Sequence, residues 1–223
     1  MTAASWPDLE NRFSRLLQSG CNSLAVVPDE AQFGALLEYL QLLQKWNRSY
    51  NLTAVRDPEA MVTRHLLDSL AVAPYLRGQL FIDVGTGGGL PGVPLSILFP
   101  GRQFHLLDSN GKKTRFLFQV KTALGLDNMT VHHARVEAFQ PDVLFDAVLS
   151  RAFASLEDMV RGCRHLLAPG GCFLAMKGVA PVEEMTAVRP LCQTPTVHPI
   201  DVPGLAEQRH LVEMQLRQQV AQQ

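Results

Sequence analysis

The chain of 223 residues is long enough for one large domain or for a domain with a small extension. Nearly half of its residues (47%) are apolar and 18% are charged, so it can bury a sizeable core. A formal net charge of −1 excludes a polycationic protein, and any contact with nucleic acid must come from a local basic face.

The first third of the chain has the apolar periodicity of helices. Between residues 29 and 47 the apolar residues recur every three or four positions, which predicts an amphipathic helix with Asp29 as its N-cap. A second helix is predicted over residues 56–76, and a shorter one over residues 8–20. This part of the chain therefore indicates a helical extension, residues 1–76.

From residue 80 onward short apolar runs alternate with helical stretches. Five runs have the length of strands: 80–84, 103–108, 128–133, 145–150 and 172–177. Helices are predicted over residues 112–125 and 155–171, with Ser155 placed to cap the second. Two further runs, 194–200 and 210–216, predict a closing hairpin. The pattern predicts an α/β core, residues 77–223, with a mostly parallel seven-stranded sheet and helices on both faces.

Several classes of protein are disfavoured by what the sequence does not contain. The four cysteines are far apart and the histidines are not clustered, so we expect no metal site. No N-terminal stretch has the features of a signal peptide, and no apolar run has the length of a membrane span. We therefore expect a cytoplasmic protein with no membrane partner, and a frayed glutamine-rich tail.

The segment FIDVGTGGGLPG, in which glycines follow a predicted strand directly, indicates a nucleotide-like ligand. The frame Gly87, Gly89 and Gly92 matches the GxGxxG pattern of dinucleotide sites. The alternative is an acidic residue followed by GxGxG, here Asp83 and then Gly85, which is typical of loops that hold S-adenosylmethionine (SAM) in Rossmann-like methyltransferases. The second interpretation fits better, because residues intervene between the strand and the dinucleotide frame.

Polar groups follow every predicted strand at the edge where ligands bind in open α/β sheets. Asp108 ends the second strand, where a carboxylate often binds a ribose, although it could also cap the next helix. Glu137 follows the third strand, Arg151 follows the fourth, and Lys177 ends the fifth. A purely structural sheet does not require this arrangement, so the pattern favours a ligand site.

The residues after the fourth strand bear on the methyl acceptor. This place holds SRAF rather than the [DN]PP[YFW] segment typical of exocyclic-amine methylation, and it holds no cysteine for attack on carbon 5 of cytosine. A ring nitrogen such as nitrogen 7 of guanine needs no deprotonation. It needs only to be held in line with the sulfonium at about 3–3.5 Å.

Several longer motifs give a specific resemblance over nearly the whole chain. They are KWNRSYNLTAVRDPEAMVTRHLLDSL, FIDVGTGGGLPGVPLSI, FHLLDSNGKKTRFL, ARVEAF, SRAFASL, MKG and RHLVEM. The chain resembles the glucose-inhibited division protein B family, the bacterial 16S rRNA guanine-N(7) methyltransferases. The resemblance implies a class I SAM-dependent enzyme that methylates one guanosine of the small ribosomal subunit's RNA.

The resemblance also implies which residues contact SAM. Carried over by motif, these are Gly85, Leu90, Val136, Glu137 and Arg151. The local pattern described above adds Asp83, Gly87 and Asp108. No general base is assigned, and Arg151 and Lys177 are the candidates for a catalytic role.

The partner implied is 16S rRNA, within the small subunit or an assembly intermediate, bound by a monomer. The candidate RNA contacts are basic: Lys45, Arg48, Arg56, Arg64, His65, Lys112, Lys113, Arg115, Lys177 and Arg209. Lys112, Lys113 and Lys177 are favoured because they lie beside the ligand edge. We expect His65 to pair with Asp68, three residues later.

Three other functions remain open from the sequence. One is a SAM-dependent methyltransferase of a small molecule, which an enclosed apolar lid would favour. Another is an NAD-binding protein that uses the GxGxxG frame. The third is a ribosome-assembly factor that binds SAM without turnover.

Overall fold

One seven-stranded sheet organises the computed structural model, which describes residues 6–217 and, from residue 10, their side chains. The strands are β1 (Leu80–Val84), β2 (Gln103–Asp108), β3 (Met129–His133), β4 (Phe145–Ser150), β5 (Leu167–Lys177), β6 (Thr196–Ile200) and β7 (Arg209–Gln215). Their order is β3-β2-β1-β4-β5-β7-β6. Strands β1 to β5 are parallel, and β7 runs antiparallel to both β5 and β6. The predicted mostly parallel sheet and its closing hairpin are confirmed.

Helices precede the sheet and connect its strands. They are α1 (Trp6–Ser23), α2 (Glu30–Tyr50), α3 (Pro58–Met61), a π-helix (Val62–Leu67), α4 (Asp68–Leu70), α5 (Gly92–Leu98), α6 (Gly111–Leu124), α7 (Leu156–Cys163) and α8 (Val182–Val188). Short 3₁₀ turns lie at Ala73–Tyr75, Val136–Ala138 and Arg164–Leu166. The two seven-residue helices, α5 and α8, were not among the predicted elements, because so short a segment shows little periodicity.

Local sequence explains where α2 begins and ends. Asp29 accepts a hydrogen bond from the amide of Gln32, whose side chain in turn accepts one from the Asp29 amide, so the predicted N-cap is part of a full capping box. The helix ends at Tyr50, and its C-cap, Asn51, adopts a left-handed conformation (φ +49°). It buries Leu36, Leu40 and other residues of its apolar stripe, as its periodicity predicts.

The predicted helix over residues 56–76 is in fact broken into several pieces. Asp57 caps α3, and a π-helix then interrupts the α-helical path before α4 and a 3₁₀ turn. Apolar spacing indicates that such a segment is helical, but it does not fix the hydrogen-bond pitch. Every residue from 65 to 73 is buried, so packing from all sides determines the local geometry.

The predicted helix over residues 155–171 is also too long. Ser155 does cap α7, but the helix ends at Cys163, and β5 begins at Leu167. Leu167 pairs with β4 ahead of a register shift, and Gly170 within this stretch has φ +84°. An irregular strand start that contains Pro and Gly looks like a helix terminator in the sequence.

Two apolar layers cover the sheet, one on each face. Phe81 and Leu106 point into a cluster formed with α1, α2, α5 and α6, while Ile82 and Leu107 point into a second cluster with α7. The helices of the extension therefore share one continuous core with a face of the sheet.

The described residues include four free cysteines, all of them buried. Burial raises the pKa of the Cys163 thiol to about 12. No helix within residues 6–217 has the length and hydropathy required to cross a bilayer. The glutamine-rich tail that we expected to fray lies outside the described residues.

Candidate functional site

The glycine loop between β1 and α5 follows a path that side chains would obstruct. Gly85, Gly87 and Gly89 all have positive φ (+68°, +63° and +93°). A Cβ atom on Gly85 would lie 2.6 Å from the Cβ of Ala152, and one on Gly89 would lie 2.4 Å from Val93 Cγ2. The first glycine thus allows β1 and the segment after β4 to approach, and the third lets the loop pack on α5.

Hydrogen bonds within the protein use the loop's amides. The amides of Gly85 and Thr86 donate to the carbonyl of Leu107, and those of Gly89 and Leu90 donate to the carbonyl of Thr86. The Gly92 amide donates to the buried carboxylate of Asp83, whose Oδ2 also accepts a hydrogen bond from the Thr86 hydroxyl at 2.7 Å. The Asp83 carboxylate therefore occupies the start of α5, where a dinucleotide would need its pyrophosphate.

Tyr39 attaches the helical extension to this loop. Its side chain is fully buried, and its hydroxyl donates a 2.7 Å hydrogen bond to the carbonyl of Gly88. Leu43 also lies against Gly88, because a Cβ atom on Gly88 would lie 3.1 Å from Cδ1 of Leu43. The loop is consequently held from α2 as well as from the sheet.

A cavity of about 320 Å³ lies beside the loop at the carboxyl ends of the strands. It is lined by Val84, Gly85, Leu107, Asp108, Ser109, Lys113, Ala134, Arg135, Val136, Glu137, Ala152 and Phe153. Four of the predicted cofactor residues are thus brought together: Gly85, Asp108, Val136 and Glu137. Phe153 and Ser109 were not among the predicted site residues, and their positions just after β4 and β2 are the only sequence signal for them.

The other predicted cofactor residues lie behind or beside the cavity. Asp83 and Leu90 are buried under the loop, and Gly87 lies in the loop itself. Burial raises the pKa of Asp83 to about 6, while the hydrogen bonds from Thr86 and Gly92 oppose this shift. Oδ2 of Asp83 holds the loop in place, and the contact of this carboxylate with SAM stays a prediction.

Asp108 is placed for a contact with a ligand, whereas the alternative role of capping the next helix is wrong. It lines the cavity, and its Oδ2 accepts a 2.9 Å hydrogen bond from the Gly87 amide. Its other oxygen accepts from the Asn110 amide, while the Lys113 ammonium lies 3.7 Å from Oδ2. Asn110, not Asp108, caps α6.

An ion-pair junction connects the helical extension with the sheet at the same edge. Asp68 is 3% exposed; its Oδ2 lies 3.1 Å from Nη1 of Arg151 and its Oδ1 lies 3.1 Å from Nε of Arg209. The expected His65–Asp68 pair is wrong, because His65 Nε2 lies 2.8 Å from the Thr53 hydroxyl. Burial lowers the pKa of His65 to about 4, so this side chain is neutral and enclosed.

Lys177 is bonded within the protein and does not face solvent freely. Its ammonium donates to the carbonyls of Phe153 and Ala154, both at 3.3 Å, and to Glu184 Oε2 at 3.0 Å. The same Glu184 oxygen accepts a hydrogen bond from the first amide of α7, that of Leu156. An ammonium has three protons, so these acceptors use its donor capacity, and Lys177 supports the segment that lines the cavity.

The comparisons with known proteins agree on one family. Residues 32–212 match the family model described as rRNA small subunit methyltransferase G. A protein of that name from Saccharophagus degradans is 52% identical over 207 residues, which cover 93% of each chain. Another from Stutzerimonas stutzeri is 54% identical over 198 residues, covering 88% of this chain and 92% of that protein.

The chain belongs to this methyltransferase family. Solved structures support the fold alone. A putative O-methyltransferase from Klebsiella pneumoniae has a TM-score of 0.59 at 12% identity and covers 94% of this chain and 100% of that one. A ribosomal protein L11 methylase from Lactobacillus delbrueckii has a TM-score of 0.53 at 15% identity, over 68% and 77% of the two chains. The class I methyltransferase architecture predicted from the sequence is confirmed.

Family membership and loop geometry together disfavour the dinucleotide interpretation. In this member of the family the Gly92 amide is bonded to Asp83, and the Gly87 amide is bonded to Asp108. Two carboxylates therefore occupy amides that a pyrophosphate would require, and they would repel it. The loop suits a ligand without phosphates.

The ten candidate RNA contacts divide by their partners. Four are exposed and make no side-chain hydrogen bond or ion pair with another residue between 6 and 217: Lys45, Arg48, Lys112 and Arg115. Three are paired with carboxylates: Arg64 with Glu207, Lys177 with Glu184, and Arg209 with Asp68. Arg56 donates to the side-chain oxygen of Asn51, and Lys113 lies near Asp108. His65 is buried and is withdrawn as an RNA contact.

Proposed function

We propose that this chain transfers a methyl group from SAM to nitrogen 7 of one guanosine in the 16S rRNA of the small ribosomal subunit. The observation that carries the proposal is the family match over residues 32–212, together with a cavity on the loop side of the sheet. A ribosomal substrate would keep the enzyme in the cytoplasm.

The residues around the cavity fit SAM, which supplies an electrophilic methyl group on a sulfonium. The volume of about 320 Å³ is bordered by apolar side chains for a purine ring and by two carboxylates for hydroxyl groups. Gly85 lines the cavity, and its lack of a side chain allows Ala152, which also lines the cavity, to lie close to it. The Gly87 and Gly92 amides, which a pyrophosphate would require, are already bonded to carboxylates, and SAM has no phosphates.

Each part of the cavity has a distinct task in this proposal. Val136 and Glu137, on a 3₁₀ turn after β3, hold the adenosine, and Asp108 accepts hydrogen bonds from the ribose. Gly87 and Asp83 fix the loop from below. Arg151 binds the carboxylate of the amino-acid end, because a guanidinium pairs well with that group.

The proposed chemistry needs orientation more than proton transfer. Nitrogen 7 of guanine has a free lone pair, so no residue has to remove a proton before attack. The donor set of Lys177 is already used by two carbonyls and Glu184, which makes it a support for the cavity wall. Holding the acceptor in line with the methyl group can supply several kcal/mol of the barrier.

The exposed basic residues of α2 and α6 form the best candidate for an RNA-binding face. These two helices pack on each other through Trp46 and Phe116, whose rings lie 5.7 Å apart. Lys112 and Arg115 begin α6 and are exposed. The double variant Lys112→Glu/Arg115→Glu should weaken RNA binding and reduce its salt dependence, whereas Lys121→Glu at the other end of α6 should have a smaller effect.

The first test uses methyl-labelled SAM with small subunits that lack the modification, protein-free rRNA and a metabolite extract. Labelled RNA is then cleaved by borohydride and aniline, which cut at 7-methylguanosine. One cleavage site in 16S rRNA is the expected result, with label lost in Glu137→Ala. Label in a small molecule would favour the alternative acceptor class, and SAM binding without any label would favour an assembly factor.

A further inference from the structure

Asp68 is an enclosed carboxylate that joins three distant segments of the chain. It begins α4 in the helical extension, while its two partners, Arg151 and Arg209, follow β4 and begin β7. Each carboxylate oxygen has its own guanidinium, both at 3.1 Å. None of the functions assigned above uses this carboxylate.

Such a carboxylate is costly unless its partners stay in place. Burial raises the pKa of Asp68, and the two arginines oppose that shift. Removing one partner of a buried ion pair leaves the other without compensation, so the geometry is strongly preferred. Arg151 is therefore held in one position by a group that belongs to the helical extension.

Arg151 is held next to the cavity. The two residues that follow it, Ala152 and Phe153, line the cavity wall. Its charge also affects buried groups on two other elements, because it contributes to lowering the pKa of His65 and opposes the rise in the pKa of Asp83. The Arg151 side chain remains 28% exposed, so its other donors can still reach a ligand.

We propose that Asp68 is a positioning residue that orients Arg151 toward the carboxylate of the cofactor's amino-acid end. The inference rests on the proposed function only in the identity of the cofactor. It assigns the helical extension a part in cofactor binding through an ion pair, in addition to its packing against the glycine loop.

Two ligands separate this role from general support of the fold. S-adenosylhomocysteine carries the amino-acid carboxylate, whereas 5′-methylthioadenosine has the same adenosine and thioether but lacks it. We expect Asp68→Asn to weaken S-adenosylhomocysteine about 10-fold in calorimetric titration, and to leave methylthioadenosine within about twofold. In the Arg151→Ala background the same substitution should cause no further loss, because it acts through that arginine.

Two further variants keep the test decisive. Asp68→Glu retains the charge but moves the carboxylate by one methylene, so a smaller loss for S-adenosylhomocysteine alone is expected even if Asp68→Asn does not fold. Asn128→Ala is the matched structural control, since Asn128 is a buried polar residue that donates to three carbonyls outside the cavity. It should lower stability without changing the ratio of the two affinities.

Equal weakening of both ligands by the Asp68 variants, or additive losses with Arg151→Ala, would overturn the inference. Failure of the proposed function has a different signature. A wild-type protein that binds S-adenosylhomocysteine but does not methylate rRNA would leave the role of Asp68 intact. A wild-type protein that binds neither ligand would overturn both.

Discussion

The two halves of the ligand edge hold their acidic residues in different ways. In the loop half, around the glycine loop, Asp83 and Asp108 accept hydrogen bonds from main-chain amides that lie between 2 and 21 positions away in the sequence. In the ion-pair half, around the ends of β4 and β5, Asp68 and Glu184 bind the side chains of basic residues. Backbone partners fix the first half by conformation, whereas the second depends on individual side chains. Substitutions should therefore act chiefly on folding in the loop half, and on ligand binding as well as folding in the ion-pair half.

The largest effect should come from obstructing the loop half. Gly89→Ala places a Cβ 2.4 Å from Val93 Cγ2 and 2.8 Å from Leu117 Cδ2, at a φ of +93°. Strain and overpacking together should lower the free energy of unfolding by about 4 kcal/mol, measured by denaturant titration. Gly101→Ala is the control, because a Cβ atom at that position would meet no heavy atom within 4 Å beyond its chain neighbours. Equal stability of the two variants would show that the loop adapts.

Measuring the free energy of unfolding over a range of pH should show that ionisation of the buried Asp83 carboxyl group destabilises the fold. Its pKa is raised from 3.8 to about 6, so the folded state binds the proton more tightly than the unfolded state. The resulting stability is present below pH 3.8 and is lost as the pH rises through about 6. Relative to Asp83→Asn, the wild type should lose about 3 kcal/mol across that window. If the free energy of unfolding depends on pH in the same way in both proteins, the raised pKa of Asp83 is contradicted.

In the ion-pair half, Lys177→Met should affect both stability and binding. It removes the ammonium that joins the Phe153 and Ala154 carbonyls to Glu184, and it leaves that carboxylate without its cation. We expect a loss of about 2 kcal/mol in the free energy of unfolding and weaker binding of S-adenosylhomocysteine. Lys121→Met is the control, since its ammonium has no partner among the described residues. If Lys177→Met binds S-adenosylhomocysteine as tightly as the wild type does, Lys177 does not support the cavity wall.

The smallest effect tests how far the helical extension supports the loop half. Tyr39→Phe removes only the hydroxyl that donates to the Gly88 carbonyl at 2.7 Å. It should lower the free energy of unfolding by about 1 kcal/mol, as measured by thermal or chemical denaturation. Tyr75→Phe is the matched change, because the Tyr75 hydroxyl makes no hydrogen bond to another residue in the described range. If Tyr39→Phe and Tyr75→Phe lower the free energy of unfolding equally, the hydrogen bond from Tyr39 to Gly88 does not stabilise the loop specifically.

The same division explains what could be predicted from the sequence. The glycine loop and Asp108 lie within one strand–helix–strand unit, from β1 to β2, so a local pattern located the cavity. The pairs that form the other half are remote: Asp68 and Arg209 are separated by 141 positions. Charge types alone do not specify such partners, which is why His65 was wrongly matched to Asp68 and Lys177 was expected to be free for RNA. Short or irregular elements such as the π-helix were missed because tertiary packing decides their geometry.

The Asp68 junction also constrains the order in which the protein can mature during synthesis. Arg209 belongs to β7, the last strand of the described fold, and Asp68 is translated long before it. Because chains emerge from the N-terminus, Asp68 first has neither cation and then has Arg151 alone. Its second oxygen is neutralised only when β7 inserts between β5 and β6. The nascent protein therefore completes this ion-pair junction only when its last described strand joins the sheet.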